Sequence, residues 1–328
     1  MINLGIIGFG KMGNIRYQAI RKDGRGRVVG IVDPNLSPHL PEVQRYRSAE
    51  KLILDPAIDG IFICTPNYLN GPLTMQALRA GKHVFCEKPP AFNAKEVEEI
   101  IALEQKSVGK KLMYGFNHRH HDSIKKAKEL VDSGSYGRLL WMRGRYGKSV
   151  DKDFYNDWRA KKELSGGGIL LDQGIHMLDL FIMLAGDFDE VKAFVSSLYW
   201  KLGVEDNVFA MFRNQKGVVA SLHSTMTQWR HLFSLEVFLE KGYIVINGLL
   251  TASGTYGEEI MTVAKNRTMA PAATWDDEGH FQFKIDNSWS SEVSHFFDAI
   301  EKGQAIEVGS SRDALRLMQL VDRIYASN

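Results

Sequence analysis

The chain has 328 residues, 44% hydrophobic and 24% charged, an ordinary globular balance with length enough for two domains. Its 41 basic and 39 acidic residues are interspersed and leave a formal net charge of +2, so the basic footprint of a nucleic-acid binder is missing and no such partner is expected. The opening residues lack the basic flank and long apolar run of a secretory leader. The most apolar later stretch, 168–188, is broken by Asp172, His176 and Asp179, so a cytoplasmic protein with no membrane partner is expected.

In chain order, the first third alternates short apolar runs with helical stretches. Strands are predicted at Ile2 to Ile7, Arg27 to Val32, Gly60 to Cys64, His83 to Cys86 and Lys111 to Phe116. Between them lie helices near Lys11 to Arg21, Ala49 to Leu54, Leu69 to Ala80 and Ala94 to Lys106, the last opened by Asn93 as an N-cap. Strand then helix, repeated, predicts an α/β domain with a parallel, doubly wound sheet over residues 1–121. Cys64 and Cys86 close two of those strands and read as buried reduced thiols.

From residue 122 onward the pattern changes. Helices at Asp122 to Asp132 and Gly168 to Ala185 are accompanied by strand-like runs at Tyr136 to Lys148, Val191 to Trp200, Asn207 to Arg213, Gly217 to Ser224, Ser234 to Glu240 and Tyr243 to Ile246. Short turns between consecutive strands predict a large, open, mostly antiparallel sheet, hence an α+β domain over residues 122–328. The last helix, Asp313 to Tyr325, carries an apolar stripe of Ala314, Leu317, Met318, Val321 and Ile324 that needs a surface to cover.

The first strand runs directly into Gly8-Phe9-Gly10-Lys11-Met12-Gly13, a G-x-G-x-x-G opening a helix. Gly8 permits the tight turn, Gly10 lets backbone approach a pyrophosphate, and Gly13 lets helix and strand pack closely. Asp33 ends the second strand, 25 residues after Gly8. A carboxylate there accepts from the adenosine ribose hydroxyls and repels a 2′-phosphate, which makes NAD the expected cofactor.

With that motif come Thr65-Pro66-Asn67, Glu87-Lys88-Pro89, Gly115-Phe116-Asn117, Trp158-Arg159, and Gly166-Gly167-Gly168 leading into Asp172-Gln173-Gly174-Ile175-His176. This ordered set resembles the glucose-fructose oxidoreductase and inositol dehydrogenase (Gfo/Idh/MocA) family over nearly the whole length. The resemblance implies a Rossmann domain followed by an open-sheet domain, the nicotinamide in a cleft between them, and homodimers or homotetramers formed through that sheet. One departure is Asn70, where such proteins often carry a histidine.

Oxidising an alcohol requires a base beside the hydroxyl. Asp172 and His176 are four apart, which on a helix makes them neighbours on one face, while Leu171, Ile175, Leu178 and Ile182 form a separate apolar stripe. Taken alone, a structural or solvated pair is the simpler reading; set behind Gly166 to Gly168 in the family pattern, His176 becomes the expected base and Asp172 its orienting partner or a holder of a substrate hydroxyl. Asp179, one turn on, is expected to have a structural role.

The resemblance implies that Lys88, past a strand's carboxyl end, hydrogen-bonds the reacting oxygen, although a surface lysine is the plainer reading without it. Glu87 is expected at the nicotinamide ribose or as an anchor for Lys88. Thr65, Pro66 and Asn67 should line the nicotinamide side, Asn117 to face cofactor or substrate, Trp158 and Arg159 to contact either, and Tyr146 and Lys148 to reach the same cleft from their strand. The run from His118 to His121 lacks acidic or thiol partners at metal-ligand spacing, so no metal is expected.

The function expected is NAD-linked hydride transfer to or from a ring hydroxyl of a sugar, sugar nucleotide or cyclic polyol. A redox-neutral glycosidase or epimerase holding NAD tightly, and a non-catalytic dinucleotide or sugar sensor, are the alternatives.

Overall fold

A computed structural model describes residues 1–35, 40, 42–265 and 273–327. The chain divides into two compact units, Met1–Asn117 with Ser288–Gln319, and His118–Asn287 with Leu320–Asn328. The boundary expected at 121/122 therefore falls at 117/118, and the chain returns to the first unit after residue 287.

The first unit contains β1 (Ile2–Ile7), α1 (Lys11–Asp23), β2 (Gly26–Val32), β3 (Gln44–Arg45), α2 (Ala49–Leu54), β4 (Gly60–Ile63), α3 (Asn70–Arg79), β5 (His83–Glu87), α4 (Ala94–Glu104) and β6 (Leu112–Gly115). The six strands pair in parallel in the order β3-β2-β1-β4-β5-β6. Strand order reverses between β1 and β4, and ligands of open α/β sheets bind beyond the carboxyl ends at such a switch point. β4 and β6 are buried throughout, as expected of parallel strands with both faces covered. Asn93 caps α4 as predicted, its side chain accepting from Glu96 N–H at 3.0 Å.

The second unit contains α5 (Asp122–Asp132), β7 (Leu139–Ser149), α6 (Lys162–Ser165), α7 (Ile175–Ala185), β8 (Glu190–Ser196), β9 (Asn207–Arg213), β10 (Val219–Thr225), β11 (Thr227–Leu239), β12 (Gly242–Asn247), β13 (Glu259–Lys265) and β14 (Gly279–Phe283). Its eight strands run β14-β13-β12-β11-β7-β10-β9-β8, all neighbours antiparallel except β7 and β10. The apolar stripe Leu171, Ile175, Leu178 and Ile182 is buried, and packing against β7 and β10 supplies its cover. Lys162–Ala185 is apolar and long enough by composition to cross a membrane, but most of it is buried inside the fold.

Two C-terminal helices follow, α8 (Ser288–Glu301) and α9 (Ser311–Ala326). Val293, Phe296 and Phe297 of α8 join the core of the first unit, where Phe296 meets the stacked Phe62–Phe85 pair edge-on at 5.6 and 5.7 Å. The predicted stripe of α9 is fully buried. Both cysteines are reduced; burial pushes Cys86 up to about 12 and raises Cys64 likewise.

Candidate active site

In the first unit the glycine turn is dictated by sterics at two positions and by something else at the third. Gly8 has φ +85°, and a Cβ there would lie 2.4 Å from Cys64 O at the end of β4. A Cβ on Gly13 would lie 2.1 Å from Gly8 O, so helix and turn can close only around a hydrogen. Gly10 has φ −69° and open space around its missing side chain. Neither backbone nor packing demands glycine there. The cradle a methyl would fill lies at the N-terminus of α1, where free N–H groups suit a pyrophosphate. The residues present thus fit a dinucleotide.

Asp33 sits half-buried at the end of β2. Its carboxylate accepts from Phe9 N–H at 2.5 Å and Asn35 N–H at 2.7 Å, which fixes it beside the glycine turn with lone pairs left for ribose hydroxyls. Phe9 itself is buried edge-on against Tyr17, whereas Met12, at the start of α1, is partly exposed.

Thr65, Pro66 and Asn67 follow β4 at the switch point, and Lys88 follows β5 with a cis bond to Pro89. Asn70, the departure noted in the sequence, is fully buried and ties the two loops together: Thr65 Oγ1 donates to it, and it donates to the carbonyls of Glu87 and Pro89. Glu87 turns inward. Its carboxylate pairs at 2.6 Å with Arg16, which also pairs at 2.5 Å with Glu292 and lies over the Phe85 ring. Burial opposes the Arg16 charge, but the two carboxylates outweigh it and hold the guanidinium protonated. Of the two roles expected for Glu87, this geometry supports anchoring the segment that carries Lys88. Asn117 is buried after β6.

In the second unit the polar residues of α7 and of the turn before it are gathered with the end of β7. His176 stacks on His118 with ring centroids 3.8 Å apart, and His118 Nε2 lies 2.8 Å from the hydroxyl of Tyr146. Tyr146 is buried against Phe233 and Tyr256; burial first, then the neighbouring Tyr256 and Asp172, push its phenol well above its ordinary value, so it is neutral. Asp172 receives Lys148 at 2.9 Å and lies 3.6 Å from Arg159 Nε, with the Arg159 guanidinium over the Trp158 ring. His176 with Tyr146, and Asp172 with Lys148, Arg159 and Trp158, are thus brought together within the second unit. Asp179 holds Arg119 through two bonds of 2.8 and 2.6 Å, a structural role.

Residues Leu170–Gly174 form a π-turn rather than an α-turn, with Ile175 N–H reaching back to Leu170 O. Such widened turns are frequent at functional sites. Its first N–H groups are capped from afar: the Glu205 carboxylate accepts from Gly168 N–H at 2.8 Å and Leu170 N–H at 3.0 Å. A Cβ on Gly168 would lie 2.0 Å from Glu205 O, and one on Gly167 2.2 Å from the Tyr325 hydroxyl, which explains two members of the glycine run.

The description "Oxidoreductase family, NAD-binding Rossmann fold" matches residues 2–116, and "GFO/IDH/MocA C-terminal domain" matches residues 124–245, together well over half of the chain. The chain belongs to the Gfo/Idh/MocA oxidoreductase family. Levoglucosan dehydrogenase of Pseudarthrobacter phenanthrenivorans is 28% identical over 75% of this chain and 73% of its own, and myo-inositol 2-dehydrogenase of Thermotoga maritima is 27% identical over 74% of each. A structure of levoglucosan dehydrogenase in complex with NADH and L-sorbose is similar with TM-score 0.85 and 25% identity, over 99% of this chain and 96% of that one. An aldose-aldose oxidoreductase from Caulobacter crescentus gives 0.81 and 26%, over 99% and 97%.

Three features of this Gfo/Idh/MocA chain escaped sequence reasoning. Arg16 sits on the polar-looking start of α1, and its partners lie 71 residues away in Glu87 and farther still in Glu292. Glu205 caps a turn 37 residues earlier. The run from His118 to His121 was visible, but its residues turn to separate partners: Tyr146 for His118, Asp179 for Arg119 and Glu259 for His121.

Proposed function

We propose that the chain oxidises a ring hydroxyl of a sugar, sugar nucleotide or cyclic polyol reversibly, with NAD rather than NADP as the dinucleotide. The observation that carries this reading is the constellation at α7: a buried imidazole, His176, braced by the His118–Tyr146 pair and placed one turn from a carboxylate, Asp172, whose charge is balanced by Lys148 and Arg159. When bound, the dinucleotide supplies the hydride acceptor. His176 takes the hydroxyl proton. The Lys88 ammonium donates to the same oxygen and stabilises its developing charge. Asp172, beside Lys148 and Arg159, accepts from an adjacent hydroxyl of the substrate. Arg159 and Trp158 flank it as a donor and an apolar face, a pairing suited to a polyhydroxylated ring.

The preference for NAD rests on Asp33, whose carboxylate is held beside the glycine turn by Phe9 N–H and Asn35 N–H and would repel a 2′-phosphate, and on the following Pro34 and Asn35, neither of them a cation for one. The outer face of the second sheet carries the exposed Phe194, Phe209 and Met211, with Phe194 opposite Phe209 in register, which supports homo-oligomers through that face.

The test is NADH formation from NAD with a panel of inositols, hexoses, anhydrosugars and nucleotide sugars. His176→Ala and Lys88→Ala are each expected to lower kcat/KM by about 100- to 10,000-fold while NADH still binds. The reading also needs both groups at one substrate oxygen, so their losses should be strongly non-additive. No NADH from any substrate, with NAD bound, would overturn the dehydrogenase reading; turnover without net NADH would point to the redox-neutral alternative.

A further inference from the structure

Resting on that reading, we propose that Asn70 is a positioning residue for Lys88. Its carboxamide donates to Glu87 O at 3.2 Å and to Pro89 O at 2.8 Å, the two carbonyls that bracket Lys88 in the chain. The amide oxygen accepts from Thr65 Oγ1 at 3.0 Å. Each part of the carboxamide is thus committed, two donors and one acceptor, and its orientation is determined by three partners.

Asn70 is wholly buried at the first position of α3, so the clip is shielded from competing water. The loop after β4 and the loop after β5 are thereby fixed to one rigid helix start. A lysine whose main chain is held on both sides delivers its ammonium from a constant origin, although its own side chain has four rotatable bonds. A histidine here, as the family often carries, has two ring nitrogens and cannot serve two carbonyls and a hydroxyl at once. The three-way clip is therefore a property of asparagine at this position.

The experiment is a double-mutant cycle on the full chain. Asn70→Ala opens a buried cavity, so the isosteric Asn70→Asp, which keeps an acceptor and loses both donors, is the principal variant. In the wild-type background it should lower kcat by about 10- to 100-fold, the scale of a misplaced catalytic group, with substrate KM and NADH Kd within about threefold. In a Lys88→Ala background the same substitution should change kcat by less than about threefold, because the group it positions is gone.

Equal losses in both backgrounds would overturn the proposal. Hydrogen exchange gives a readout independent of turnover: amides across residues 86–92 should exchange faster in Asn70→Asp, while those of α1 stay as in wild type. Unchanged exchange in 86–92 would also overturn it. If the wild-type protein oxidises no substrate, the function fails, and exchange still decides whether Asn70 holds the Lys88 segment.

Discussion

Alanine at Gly10 and at Gly13 should have opposite consequences, although the two glycines belong to one motif. At Gly13 the new Cβ would stand 2.1 Å from Gly8 O, and ordinary contact begins near 3.4 Å, so backbone must give by more than an ångström. Overpacking of that kind costs about 1–3 kcal/mol, and more where only backbone can yield. At roughly 2–4 °C per kcal/mol the first unit should melt some degrees lower.

At Gly10 the methyl meets nothing within 4 Å, and φ −69° is ordinary for alanine, so Tm should hold or rise slightly. The same methyl occupies the cradle before α1. NADH affinity should fall at least about tenfold, roughly 1.4 kcal/mol. Differential scanning fluorimetry and nicotinamide fluorescence titration read the two effects separately. Wild-type NADH affinity in Gly10→Ala, or equal destabilisation by both variants, would refute the argument that this glycine serves a ligand.

Arg16→Met should cost about 3–5 kcal/mol in urea unfolding, because it strands the buried carboxylates of Glu87 and Glu292; a loss under about 1 kcal/mol would contradict the ion-pair account. Glu205→Ala leaves Gly168 N–H and Leu170 N–H without their acceptor at about 1–3 kcal/mol each, and Glu205→Gln, which keeps one acceptor, should fall between it and wild type. If the glutamine and alanine variants unfold alike, the capping role is wrong. Burial, aided by Lys110 and Lys111, lowers His83 to about 4 against an ordinary value of 6.5, so the unfolded chain takes up this proton first and native stability declines as pH falls from about 6.5 toward 4. His83→Gln should remove that part of the decline, seen as a Tm difference from wild type that shifts in the variant's favour over this window; parallel Tm curves would exclude it.

The parallel sheet was legible because strands buried on both faces are written as short apolar runs, as in residues 4–7 of β1, all of β4 and residues 84–86 of β5, and because the glycine motif marks the first turn. β13 and β14 were not, since β14 lies almost wholly exposed and carries no alternation to read. α8 has a plain apolar face in Val293, Phe296 and Phe297, but nothing local says that it returns to a sheet completed more than 170 residues earlier. At the site, the spacing of Asp172 and His176 was readable, whereas the brace behind them was not. His118, Tyr146 and Glu205 reach it through tertiary contacts across 28 to 58 residues, and no periodicity encodes those.

The widened turn at Leu170–Gly174 fits one residue more than an α-turn into about the same revolution. Removing a single residue from it would restore ordinary winding and leave the residues on either side close to their present phase. The apolar stripe of α7 would keep its seat on the sheet, and the carboxylate, then three or four residues from the imidazole, would stay on its side of the helix. What would change is the rise between the two groups and the pair of N–H groups that Glu205 reaches, so the surplus residue bears on their separation rather than on their facing.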